Sequence, residues 1–307
     1  MKHKNKNKIV VLLMLLLFVS AGCTKQLKNS DNKVVTNPTT GQSLTENILC
    51  RPEDEETINL YIENNVDVNS LPSCKDFNVT SGGYEGIWTS IFIKPLAWII
   101  LTIGEFVKSN GLALIITSLL IRFVALPITR KTAIQSELMK QAKPELDKLE
   151  KKYANKKDND SMMRKSQEMA FIYKKYNINP IAGCLYAMLQ LPLFIAFLEA
   201  INRVPAIFEE NFIGFQLGTT PVTGLTNGNF IYIIITFLVG LSTYYSLKFN
   251  SASNPDNEQV KTMNKIMFVM ILVMSLFMSS ALNIYWITTN LFTIGQNLLV
   301  KREKVLV

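Results

Sequence analysis

One arginine sets the chemistry this chain can do. Arg122 lies inside GLALIITSLLIRFVALPIT, Gly111 to Thr129, and is the only charged residue of that run. Its guanidinium cannot shed a proton, so it offers fixed donors and a permanent positive charge to an anion. Gly111–Ile128 supplies 18 residues, about 27 Å of helix, enough to cross a bilayer core. Arg122 then sits roughly 4 Å past the mid-plane, where a charge costs at least about 2.5 kcal/mol. Ser118 and Thr129 share its helix face, at spacings of four and seven. Gln190 stands midway along a second apolar run, Ile181–Ile201. In a third, Ile284–Val300, Tyr285, Thr289, Thr293 and Gln296 form a stripe at spacings of four, four and three.

Two readings of this set stand. In the first, Arg122 belongs to a structural ion pair, and its candidate mate is Glu199, the one acid of the apolar spans. Glu199 lies roughly 16 Å away along the membrane normal if both helices stand upright, and Arg203, one turn on, is its nearer mate. In the second, a water-filled groove keeps Arg122 charged and available to something arriving from outside the chain. Single hydroxyls and amides in spans ordinarily act as interhelical glue. Three helices with inward polar stripes around an unmatched arginine favour the groove. The spans hold no nucleophile–base pair and no metal cluster, and no GxxxxGK[ST] phosphate loop occurs. The single histidine, His3, lies near the N-terminus. The chain is therefore expected not to be an enzyme, and to need no cofactor or metal.

Positioning these groups falls to membrane helices. The chain has 307 residues, 48% hydrophobic, with net charge +8, and its apolar residues are clustered in span-length runs. Strand-like alternation is absent, and helices satisfy their own backbone in lipid. Five spans are expected, at about 111–128, 181–201, 230–247, 266–282 and 284–300. The last two are nearly continuous and must turn back near Ser279–Asn283. The fold class is an all-α polytopic membrane protein with a charged helical hairpin and an interfacial helix.

The first 22 residues read as a targeting segment: Lys2, Lys4, Lys6 and Lys8 precede the apolar run Ile9–Val19. Ser20-Ala21-Gly22-Cys23 then resembles the end of a bacterial lipoprotein signal peptide. Cys23 would become the lipidated N-terminus of the mature chain; the alternative is an uncleaved anchor. Residues 23–85 form a polar segment, with ten acids against five Lys/Arg over residues 24–85. There Cys50 and Cys74 either form a disulfide on an oxidising side or remain two thiols. In 86–108, Lys94-Pro95 interrupts an apolar stretch carrying Trp88 and Trp98, which reads as a helix lying along the outer interface.

Charge sets the sides. Arg130–Lys175 carries thirteen Lys/Arg against seven acids and belongs in the cytoplasm with the tail Lys301, Arg302 and Lys304. The hairpin is expected to run from 130 to 176, with arms Thr132–Tyr153 and Ser161–Tyr176 around the turn Ala154–Asp160. Ile134, Leu138, Leu146, Leu149 and Tyr153 would face Met162, Met169, Ile172, Tyr173 and Tyr176. Pro144 is expected to kink the first arm.

Over about 86–302 the sequence resembles the YidC membrane protein insertase family, in its five-span, lipoprotein-anchored Gram-positive form. The elements that carry this are, in order, IRFVALPIT, KPELDKLEKKY, IYKKYNINPIAGC, LQLPLFIAF and LNIYWITTNLFTIGQ. Two positions depart from the pattern: Tyr186 stands where proline is expected, and Met278-Ser279-Ser280-Ala281 replaces a turn containing proline and glycine. The resemblance implies a hydrophilic groove open to cytoplasm and lipid, with Arg122 as its arginine. It implies a chaperone-like protein-transport role in the bacterial plasma membrane. Nascent membrane proteins would be the clients, and the ribosome, the Sec translocon and membrane lipids candidate partners. A different class, a secondary transporter or channel that uses Arg122 for an anionic solute, finds less support. Five spans do not divide into repeats, and no paired broken helices occur.

Overall fold

The computed structural model describes residues 24–156, 158–179, 182–249 and 258–305, and the signal segment with Cys23 lies outside them. The fold is mostly helical, as the clustered apolar runs require. It divides into two compact units. The first holds the described residues of Met1–Thr117 together with Leu191–Ile235 and Leu276–Tyr285. The second holds the described residues of Ser118–Gln190, Thr236–Ser275 and Trp286–Val307.

In the first unit the polar segment has a core of its own. Leu27, Val35, Leu44, Ile48, Tyr61 and Val68 are buried together. A backbone weave surrounds them, Leu27 N–H donating to Leu44 at 2.9 Å and Val35 N–H to Leu27 at 2.8 Å. Helix α1 (Glu55–Glu63) starts where the Asp54 carboxylate accepts the Thr57 N–H. Cys50 and Cys74 are disulfide-bonded, with Cα atoms 4.9 Å apart. So few core residues make a marginal domain alone, which is the setting in which a crosslink matters most.

Lys94-Pro95 does not interrupt the next stretch. A π-helical turn, Thr89–Ile93, runs directly into α2 (Lys94–Val107). Pro95 lies inside this continuous helix, and the π turn just before it is where the hydrogen-bond ladder adjusts around the missing N–H. With the π turn this makes a 19-residue helix, Thr89–Val107, long and apolar enough to cross a membrane. Lys108 then takes a left-handed conformation (φ 59°), with its N–H on the Gly104 carbonyl, and ends α2.

Helix α3 (Asn110–Tyr153) begins against Glu210. That carboxylate accepts the Asn110 N–H at 2.6 Å and the Ser109 hydroxyl at 2.7 Å, placing negative charge at the helix's positive end. A Cβ on Gly111 would stand 2.3 Å from the Phe212 ring, so only glycine allows that approach. The helix then runs 44 residues, with Pro127 and Pro144 inside it.

Past Tyr153 lies α4 (Asn159–Lys175), and the two arms pack in the second unit. Ala142, Leu149, Tyr153, Ile172 and Ile178 form their buried cluster, with Leu138, Leu146, Met169, Tyr173 and Tyr176 against it. Met162, expected at this seam, is exposed instead. Ala142 and Ile178 take part although the spacing did not single them out. Glu168 receives Lys152 at 2.6 Å and the Tyr153 hydroxyl at 2.9 Å. Glu145 likewise receives Lys175 and the Tyr176 hydroxyl. These links tie arm to arm but are exposed, so packing rather than charge holds the hairpin.

Helix α5 (Ala182–Arg203) is followed by α6 (Pro205–Phe208), a two-residue ribbon of β1 (Asn211–Phe212) and β2 (Phe215–Gln216), and α7 (Pro221–Thr226). Then come α8 (Tyr232–Phe249), α9 (Glu258–Phe277) and α10 (Ser280–Val305). The turn between α9 and α10 is Met278-Ser279. It is held from outside, the Ser280 N–H donating to Thr219 at 3.0 Å and the Ala281 N–H to Leu217 at 2.9 Å. Those carbonyls satisfy amides that a helix start otherwise leaves open. Among the described residues, Thr89–Val107, α3 and α8 are long and apolar enough to cross a membrane, and Asn264–Phe277 is a shorter apolar helix.

Candidate functional site

The arginine face of α3 lies in the second unit. Arg122 is 4% exposed, and its Nη2 donates to Gln190 Oε1 at 2.7 Å. Its Nε is buried without a hydrogen-bond partner among the described residues. No carboxylate among them lies within ion-pair distance of it. A buried guanidinium whose assigned acceptor is a neutral amide is poorly compensated. Ser118, one turn earlier, is buried at 1% exposure. Two turns beyond Arg122 the face continues: the Thr129 hydroxyl lies 3.3 Å from the Leu126 carbonyl and 3.2 Å from Gln296 Oε1.

The stripe on α10 divides. Gln296 meets Thr129. The hydroxyls of Thr289 and Thr293 donate to the carbonyls of Trp286 and Thr289, satisfying themselves on their own helix. Tyr285 falls in the first unit, fully buried, its ring stacked on Phe197 with centroids 4.2 Å apart. It fills a core there, as aromatic residues commonly do.

Glu199 and Arg203 do not form the ion pair their spacing suggested. In the first unit Glu199 accepts the indole N–H of Trp88 at 3.1 Å. Arg203 instead binds Glu85 at 2.6 Å and the Asn47 carbonyl at 2.6 Å. Lys94, 0% exposed, reaches the same Glu85 at 2.8 Å and also the carbonyls of Ser81 and Gly83. Glu85 is thus shared by two buried cations. Burial pushes its carboxyl up, but hydrogen bonds from Lys94 and Arg203 outweigh that and hold it below the ordinary 4.5.

Sequence spacing missed a further polar knot in the second unit. The Trp286 indole N–H donates to Thr243 Oγ1 at 3.2 Å. The Asn290 amide reaches Thr243 at 3.0 Å and Ser242 at 3.2 Å. The i,i+4 pair Trp286–Asn290 was the available signal, a second polar face on the same helix.

The family model described as 60Kd inner membrane protein matches residues 102–305. The chain belongs to the YidC family. The YidC insertase of Oceanobacillus iheyensis is 34% identical over 242 residues, covering 76% of this chain and 91% of that one. The insertase MisCA of Bacillus subtilis is 33% identical over 216 residues, 70% of this chain and 79% of that one. A solved structure of an active YidC insertase, with its first transmembrane domain resolved, superposes with a TM-score of 0.50 at 17% identity. It covers 79% of this chain, which spans half the length of that one, and the likeness is one of fold. The matched region of this YidC-family chain takes in Arg122, Gln190, Thr129 and Gln296, together with the hairpin.

Proposed function

We propose that the chain is a membrane protein insertase: it receives unfolded membrane proteins beside Arg122 and releases their apolar helices into lipid, with no nucleotide hydrolysis of its own. The observation that carries this reading is the state of Arg122. It is a permanent cation, buried, held by a neutral amide, with no carboxylate among the described residues to match it. A water-filled groove, or the acidic tail of a client in transit, would complete it. Family membership supports the reading, since the relatives named above are insertases. In this scheme a polar groove reaching part-way across the membrane thins the barrier for a hydrophilic tail. Partition of the client's apolar helix then drives the step, at about 25 cal/mol per Å² buried.

The proposed sides follow the charge distribution. Cys23 is lipidated, residues 24–108 lie outside, and the hairpin and C-terminal tail lie in the cytoplasm. Thr89–Val107 then rests at the outer interface despite its length. The uncharged part between Lys94 and Glu105 is Pro95–Gly104, about 15 Å of helix and half a bilayer core. A cysteine placed at Asn78 is expected to react with an impermeant maleimide added to intact cells, and one at Asn155 only after permeabilisation. The reverse pattern would overturn the topology.

The purified full chain in liposomes tests the activity. It is expected to insert a small membrane protein to a protease-protected depth and to give no uptake of labelled anions. Anion uptake without insertion would make it a transporter instead.

A further inference from the structure

The second unit has a crevice that meets the polar face described above only at Gln296. It has a volume of about 350 Å³ and runs between α3 and α10. Its apolar walls are Phe123, Leu126, Phe292 and Leu299. Phe123 and Phe292 stand at one end of it, ring edge to ring face with centroids 5.2 Å apart. Gly295 lies in its wall, and a Cβ built there meets nothing within 4 Å. The other end carries Arg130, which is exposed.

Depth and charge together point to an occupant. Arg130 is eight residues past Arg122, about 12 Å further along the helix. If Arg122 is near the mid-plane, Arg130 stands close to the edge of a hydrocarbon core about 30 Å thick. Val300, the last lining residue, is followed in the sequence by Lys301-Arg302. The crevice is therefore apolar at acyl-chain depth and cationic at headgroup depth. A water-soluble anion would have no use for the aromatic floor. A neutral lipid would have no use for the arginine.

We propose that this crevice is a binding site for one anionic phospholipid of the leaflet facing the charged hairpin, an acyl chain lying along Gly295 and the phosphate against Arg130. The site rests on the membrane-spanning reading of α3 and α10, not on the insertase activity. An occupied crevice would keep an acyl chain on the α3–α10 seam where the Thr129–Gln296 contact lies.

The test uses the full chain purified in mild detergent, with phosphatidylglycerol or phosphatidylcholine of identical acyl chains. Retained lipid is read by native mass spectrometry. Wild type is expected to retain one phosphatidylglycerol in preference to phosphatidylcholine by about fivefold, the contribution of one basic residue at a charged membrane surface. Arg130→Gln is expected to erase that preference. Gly295→Leu fills the crevice and is expected to lose the retained lipid altogether. It should unfold no earlier than wild type in lipid-free detergent, because leucine is the better helix former and the added side chain has space. Equal retention of the two lipids by wild type would mean bulk lipid only and would overturn the site. So would a preference that survives either variant. Loss of insertion in liposomes with lipid preference intact would count against the proposed function and not against this site.

Discussion

Glu85→Gln is expected to cost about 3 kcal/mol of stability, and up to about 5, because it leaves buried charge without its counter-charge. Lys94 and Arg203 are 0% and 1% exposed in their side chains, and both close on this one carboxylate. Glutamine keeps the shape and an acceptor but removes the anion. Glu85 itself is 33% exposed, so water replaces part of the loss and the lower figure is the better guide. Thermal unfolding of the full chain in detergent reads the effect, and an unchanged midpoint would show that the three groups are not coupled. Adding Lys94→Met to Glu85→Gln removes one of the stranded cations and is expected to recover part of the loss. The same carboxyl gives the pH dependence its sign. Because its folded value lies below 4.5, its contribution is complete above that pH and is lost as pH falls through the depressed value. The acid-induced loss is expected below pH 4.5 in wild type and to be smaller in Glu85→Gln.

Arg122→Ala tests the other buried cation, and the expected outcome has the opposite sign for stability. No carboxylate among the described residues is stranded by the change, and a costly charge leaves the interior. The variant is expected to unfold no earlier than wild type. Insertion of a client whose translocated tail carries Asp or Glu is expected to fall by about tenfold or more, the worth of roughly 1.4 kcal/mol of charge attraction. Clients with neutral tails should be affected less. Arg122→Lys is expected to restore much of the activity, since a positive charge rather than a planar fork is what attracts the tail. An alanine variant that unfolds early would mean Arg122 is structural. One that inserts acidic-tailed clients normally would remove it from the mechanism.

What the sequence made legible follows from what is local. Helical fold class came from clustered apolar runs, whose period and length a single chain records. The seam residues Leu138, Leu149, Met169 and Ile172 came from i,i+3 and i,i+4 spacing, because a helix fixes which side chains share a face. Partners across space left no such trace. Glu85 and Arg203 are 118 residues apart, and spacing could offer Arg203 only its neighbour Glu199. The small core of residues 24–85 has no period, being built from isolated backbone bridges and a crosslink. Lys94-Pro95 read as a break because a π turn before a proline is invisible to an α-helical template. At Arg122 the cost of the charge was legible from its depth in the apolar run, whereas its burial and its contact with Gln190 required the second helix to be placed.

The continuity of α3 has a mechanical consequence. The rod that carries Arg122 is also the first arm of the hairpin, so a bend anywhere beyond the arginine is amplified at the tip. Pro127 lacks the N–H that would bond the Phe123 carbonyl, which makes that turn the most compliant place near the arginine. From there to Tyr153 the shaft is about 39 Å long. A flexure of about 5° at Pro127 would sweep the tip through roughly 3 Å while leaving the Arg122–Gln190 contact, on the other side of the hinge, where it is. Such a rod would work as a lever with its fulcrum just past the charge: a deflection of the hairpin would be taken up at Pro127 before it reached the arginine.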